Sequence, residues 1–131
     1  MDDAMTIAAS GMAAAMASLT ASASNVANAN TEGAVPGNAP AQPAAYRPAV
    51  VVETSMAGGG VSATVTRSSG TLLSYDPTAP FANGQGMVAV PNVDFATEAV
   101  NQLSASVAFQ ANLRVFQAAN RNLDTLLDIK V

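Results

Sequence analysis

The chain of 131 residues contains neither cysteine nor histidine. Without cysteine no disulfide framework can form, and without both residue types the thiol nucleophile, the usual general base and the commonest zinc ligands are missing. Catalysis by paired carboxylates would fall to Asp76, Asp94 and Glu98. Asp94 and Glu98 are equally the residues that the start of a helix favours. We therefore predict a protein that is not an enzyme, with no catalytic, cofactor-binding or metal-binding residues.

Charged residues are scarce as well. They make up 11% of the chain, against about 25% in typical soluble domains, so the chain has little of the solvated surface that a free monomer needs. The low charge predicts that other subunits cover much of this surface. The net charge of −4 and the scattered arginines argue against a nucleic-acid partner, and no phosphate-binding motif indicates a small-molecule substrate.

Long apolar runs and an export signal are also missing. No run approaches about 18 consecutive apolar residues, which predicts that no helix spans a membrane. A cleaved signal peptide needs positive charge at its start, where this chain has Asp2 and Asp3. We therefore expect no cleavage of an export signal at the N-terminus.

Small and apolar side chains, in contrast, are abundant, and near both ends of the chain they recur at helical spacing. Steps of three and four residues keep side chains on one helix face, and they predict one helix over residues 3–28 and a second that opens at Asn92 and continues almost to the C-terminus. The two faces would pack against each other or against a neighbouring molecule. The first stripe contains Met5, Ala9, Met12, Met16, Leu19, Ala23 and Val26. The second contains Val100, Leu103, Val107, Leu113, Phe116, Leu123 and Leu127.

Between the helices the periodicity changes from helical to alternating. Four short segments with β-branched or alternating apolar residues predict strands, with a glycine turn at residues 58–60 and one buried face in the second strand. The predicted strands cover residues 50–52, 61–66, 72–75 and 87–90.

Together these elements predict a mainly α fold with a small β module. Long N- and C-terminal helices would form an antiparallel coiled-coil hairpin, with short antiparallel β-strands between them. We divide the chain into a coiled-coil domain of residues 1–31 and 92–131, an extended loop of residues 32–45, rich in proline and alanine, and a β module of residues 46–91 that faces outward.

Three asparagines, Asn25, Asn28 and Asn30, cluster where the first helix ends. They could simply terminate the helix, or their amides could form hydrogen bonds across a packed helix interface and so set its register. We predict that these asparagines and the members of the two stripes larger than alanine form the subunit interface.

The asparagine-rich run SNVANANT at residues 24–31 resembles the N-terminal signature of the axial proteins of the bacterial flagellum, which are the rod, hook and hook-junction subunits. The run PNVD at residues 91–94 and the run FQAN at residues 109–112 are similar to one branch of that family only, the proximal rod proteins.

The resemblance implies a structural subunit of the proximal rod that assembles helically with copies of itself and other rod proteins, transmits torque for motility and lines the export channel. It implies a periplasmic location in the basal body, reached through the flagellar type III export apparatus without a cleaved signal. Base and adaptor proteins of the MS ring and the export gate are further expected partners. Two alternatives stay open: another type III-exported helical assembly protein, of the hook or needle type, and an enzyme acting on the cell wall.

Overall fold

The computed structural model describes residues 2–37 and 43–129, and the predicted mainly helical fold with a small β module is confirmed. Residues 38–42 of the predicted loop lie outside the described residues. The elements in chain order are α1 (Asp2–Asn28), β1 (Ala49–Ser55), β2 (Val61–Arg67), β3 (Thr71–Tyr75), β4 (Met87–Pro91) and α2 (Phe95–Asp128).

The two helices pack side by side in opposite directions. The Ser22 hydroxyl donates to the backbone carbonyl of Glu98 over 3.0 Å, whereas Gly11, nearer the start of α1, lies against Asn112, further along α2. A Cβ atom at Gly11 would come within 2.5 Å of the Asn112 side-chain oxygen, so glycine permits this close approach. The predicted antiparallel helical hairpin is therefore present.

Small residues at seven-residue intervals form the contact between α1 and α2, which we call the small-residue seam. Seven-residue spacing keeps side chains on one face of a helix pair, and small side chains let the two backbones come close together. Large apolar residues do not fill this contact. The seam consists of the buried small residues Ala8, Ala15 and Ser22 of α1 and Ala105 and Ala119 of α2, and the buried Glu98 flanks it at one end.

The four strands form two separate two-stranded antiparallel sheets, β1 with β2 and β3 with β4. The β1–β2 hairpin is fixed to α1 at both ends: the Val61 amide donates to the Ser10 hydroxyl, and the Ala49 amide donates to the Asn25 side chain. The predicted buried face of β2 is present only in part: Val61 and Ala63 are half-buried and alternate with exposed residues, whereas Val65 is 50% exposed. The hairpin covers only one helix, which is too narrow to bury its whole length.

The segment after α1 contributes to the packing around β4. Gly33 exchanges two backbone hydrogen bonds with Ala89, of 3.0 and 2.9 Å, and thereby occupies the edge of β4 that β3 leaves open. Ala34 and Ala45 are buried, as are Val88 and Ala89 of β4.

Helix α2 begins later than the sequence predicted. Strand β4 extends to Pro91, so Asn92 belongs to the connection, and Asp94 caps the helix by accepting from the Thr97 amide over 2.7 Å. The same hydrogen bond lowers the pKa of Asp94 below its ordinary value and keeps the carboxylate ionised at the positive end of the helix dipole.

The expectation that no helix could cross a membrane also needs correction. Residues Asp3–Asn28 are long and apolar enough to do so by length and composition alone. This segment contains no long uninterrupted apolar run, because serines and threonines divide its alanines into short runs. In the structure this helix packs against α2 through the small-residue seam.

Candidate assembly interface

Three branched aliphatic residues of α2, Val100, Leu103 and Val107, lie on the opposite side of the helix from the seam. With 3.6 residues per turn, they are about 140–160° around the helix from Ala105. Their side chains are 63%, 68% and 59% exposed. We call these three residues the outer stripe. A contiguous exposed apolar row on a helix is typical of a surface that another molecule covers.

The remaining residues of the predicted interface differ in exposure. Three more are exposed large apolar residues, while others are half-buried beside the helix contact. The exposed ones are Met16 (48%), Val26 (36%) and Leu127 (65%). The half-buried ones are Met5, Met12, Leu19, Leu113, Phe116 and Leu123.

The two stripes were predicted to pack against each other or against a neighbour, and the structure excludes the first possibility for their most exposed members. The contact between α1 and α2 is made by the alanines of the seam instead, because alanine allows closer backbone contact than leucine or methionine does. A prediction from the large apolar side chains does not identify the seam, because alanine and serine are small. A seven-residue repeat of small residues was the signal that could have identified it.

Asn25 connects three elements of the chain and is only 3% exposed. Its side-chain nitrogen donates to the Ala49 carbonyl over 2.9 Å and to a Glu98 carboxylate oxygen over 2.8 Å. Its side-chain oxygen accepts from the Ala49 amide over 2.7 Å and from the Tyr46 hydroxyl over 3.0 Å. All of these bonds lie within one chain, so we leave Asn25 out of the interface proposed below.

The other two asparagines follow different patterns. Asn28 donates to the Ser24 carbonyl one turn earlier in the same helix, and Asn30 is exposed just after the helix ends. Asn25 therefore forms a hydrogen bond between the two helices, to Glu98. Asn28 forms its hydrogen bond within α1, near the end of that helix.

The three carboxylates considered for catalysis each have a structural partner. Glu98 accepts from Asn25 and Asp94 caps α2. Asp76 accepts from the hydroxyl and the amide of Thr78 over 2.6 and 2.9 Å, and these bonds lower its pKa. In the structure these three groups stabilise a turn, the start of α2 and the contact between the helices.

Comparisons with known proteins indicate the class to which the chain belongs. Residues 85–129, which include all of β4 and α2, match the family described as flagellar basal body rod FlgEFG protein, C-terminal. This match covers 45 of the 131 residues and points to the flagellar rod class.

Individual relatives give a narrower identification. The chain is 38% identical over 116 residues to the flagellar basal-body rod protein FlgC of Salmonella typhimurium, an alignment that covers 83% of this chain and 82% of the relative. It is 40% identical over 57 residues to FlgC of Bacillus subtilis, covering 44% of this chain and 38% of the relative. The chain belongs to the FlgC family, and it is a structural rod subunit of the flagellar basal body.

Proposed function

We propose that this chain builds the proximal rod by helical assembly with copies of itself and with other rod proteins, and that the outer stripe of α2 is a main contact in that assembly. The observation that carries the proposal is the exposure of Val100, Leu103 and Val107 on a helix whose opposite face is already packed. In the assembled rod the terminal helices line the export channel and the strands face outward, and the rod transmits torque.

The energetics favour a subunit with several neighbours. Burying three aliphatic side chains contributes about 5–9 kcal/mol in total, at about 1.5–3 kcal/mol each. Association costs about 4–15 kcal/mol in lost translational and rotational freedom. One stripe is therefore marginal for a stable dimer, but contacts with several neighbours in a helical lattice add further burial. The additional exposed residues Met16, Val26 and Leu127 support such further contacts.

We further propose that the chain reaches the periplasm through the flagellar type III apparatus without a cleaved signal, and that it contacts base and adaptor proteins of the MS ring and the export gate. The thin core supports export in an unfolded state. Its buried apolar residues are almost all alanines, and Val88 is the one large apolar side chain among those described that is fully enclosed. A chain that gains little by folding alone is readily kept unfolded for export.

Deletion of the gene in its own host tests this function. We expect the deletion strain to be non-motile and its purified basal bodies to lack the rod, and we expect a plasmid copy to restore both. In cells without a working export apparatus the same copy should stay in the cytoplasm. The matched control is deletion of a filament gene, which abolishes motility but leaves the rod in place. Complete rods in the deletion strain would contradict the proposal.

A further inference from the structure

A long groove runs between α1, the N-terminal half of α2 and the β1–β2 hairpin, with a volume of about 950 Å³. Its lining extends along α1 from Ile7 to Asn25 and along α2 from Asp94 to Asn112. At 1.5 Å per residue the groove is about 27 Å long. The two helices already touch along this groove, at Gly11 with Asn112 and at Ser22 with Glu98. The groove therefore offers room for a row of side chains but not for a whole helix between α1 and α2.

The charges around the groove are all of one sign. The lining contains Glu53, Asp94 and Glu98 and neither lysine nor arginine. Glu98 is buried and hydrogen-bonded to Asn25, and Asp94 caps α2. Glu53 is exposed and has no ion pair among the described residues. An occupant that brings positive charge would therefore be favoured at Glu53.

Helix α2 itself carries side chains with this positive charge. Arg114 and Arg121 continue the seven-residue spacing of Val100 and Val107, so the four side chains form one row on the outer face of the helix. Both arginines are exposed, and neither has an ion pair within residues 2–37 and 43–129. The row from Val100 to Arg121 is about 32 Å long, similar to the length of the groove.

We propose that this outer row of α2 docks into the groove of a second copy of the chain. The inference rests on the proposed function and specifies one contact within it. The row and the groove are different surfaces of the molecule, so each copy can use its row toward one neighbour and its groove toward the next. A contact of this head-to-tail kind produces an open helical assembly rather than a closed dimer. The apolar half of the row packs against the aliphatic lining, and the arginines face the carboxylates.

Paired cysteines test this contact directly, because the chain has no cysteine of its own. We combine Glu53→Cys with Arg114→Cys in one chain, and with Arg121→Cys in another, and oxidise concentrated full-length protein. Disulfides need Cα atoms within about 7 Å, so bonds form only where the row meets the groove. The matched control replaces Glu53→Cys by Thr64→Cys. Thr64 pairs with Val52, the strand neighbour of Glu53, so its side chain lies on the opposite face of the hairpin from that of Glu53.

At least one double variant is expected to give a ladder of dimers, trimers and larger species, about tenfold or more above the control pair. A mixture of the single variants Glu53→Cys and Arg114→Cys should give no species larger than dimers, because each chain then carries one thiol. Absence of a ladder above the control would overturn the proposal. Dimers from Arg114→Cys alone would also overturn it, because they indicate a symmetric contact.

Three results separate a failure of the docking contact from a failure of the proposed function. If Leu103→Asp weakens self-association while no cysteine pair forms a ladder, the docking contact is wrong and the outer stripe remains an interface. If the gene-deletion strain builds complete rods, the proposed function itself is wrong. If a maleimide photo-crosslinker on Arg114→Cys links only to a different rod protein in intact basal bodies, a second copy is not the occupant.

Discussion

Replacing Leu103 by aspartate is expected to abolish rod assembly and motility while the isolated chain still folds. Leu103 is 68% exposed in the single chain, so a charge at this position meets water and costs little. In the proposed interface the same position is covered. The variant then loses about 1.5–3 kcal/mol of apolar burial and also has to bury a carboxylate without a partner.

The loss of burial alone corresponds to a rise of about ten- to hundredfold in the concentration needed for self-association. Sedimentation of the purified chain measures that concentration, and electron microscopy of basal bodies shows whether the rod forms. Circular dichroism checks that the helices are retained. Leu103→Met is the matched control, because it keeps an apolar side chain of similar volume and should assemble normally. Motile cells with complete rods carrying Leu103→Asp would show that the outer stripe is not an interface.

Asn25→Leu is expected to destabilise the single chain severely, although leucine has nearly the shape of asparagine. The change leaves the backbone amide and carbonyl of Ala49 without the partner they have now, and it removes the hydrogen bond to the buried Glu98 carboxylate. Each buried group left unsatisfied costs about 1–3 kcal/mol. We expect a total loss of about 3 kcal/mol or more, a large part of the stability of an ordinary domain.

Urea unfolding followed by circular dichroism measures this loss. Asn28→Ala is the matched control on the same helix: its amide bonds only to the Ser24 carbonyl within α1, so the variant should lose about 1 kcal/mol or less. The double variant Asn25→Leu with Glu98→Leu should recover part of the loss, because it also removes the unpaired carboxylate. Equal stability of Asn25→Leu and the natural chain would show that Asn25 does not hold α1, α2 and β1 together.

Helices and strands were predictable from the sequence because their periodicities differ clearly. The predicted helix over residues 3–28 and the four predicted strands agree with α1 and β1–β4 to within a few residues. Turn chemistry also placed the glycines at residues 58–60 correctly, all with positive φ. These features depend on neighbours in sequence, which a local pattern records.

Contacts between distant residues were harder to predict. The Asn25 contact with Ala49 joins residues that are 24 positions apart, and its contact with Glu98 spans 73 positions. The pattern of three asparagines could not distinguish Asn25 from Asn28, because the difference lies in which side of the helix faces α2 and β1. The seam was missed for a related reason: Ala8, Ala15 and Ala105 carry little apolar surface individually, and their value appears only when two backbones come close together.

The outer stripe shows that helical spacing alone cannot tell a contact within the chain from a contact with a neighbouring molecule. Val100, Leu103 and Val107 have the spacing of a packed helix face, and sequence alone allowed them to meet α1 or a neighbour. These three residues are exposed in the structure because α2 packs against α1 through its alanine face. Their exposure is the observation on which the proposed contact with a neighbouring subunit rests.

Thiol labelling of Leu103→Cys is the most direct test of the claim that neighbouring subunits cover this face. The single cysteine should react rapidly with a maleimide in the dilute chain and slowly in intact basal bodies, and rapid labelling should return once the rods are dissociated. Equally fast labelling in the dilute chain and in intact rods would contradict the account, because the outer face of α2 would then remain open to solvent after assembly.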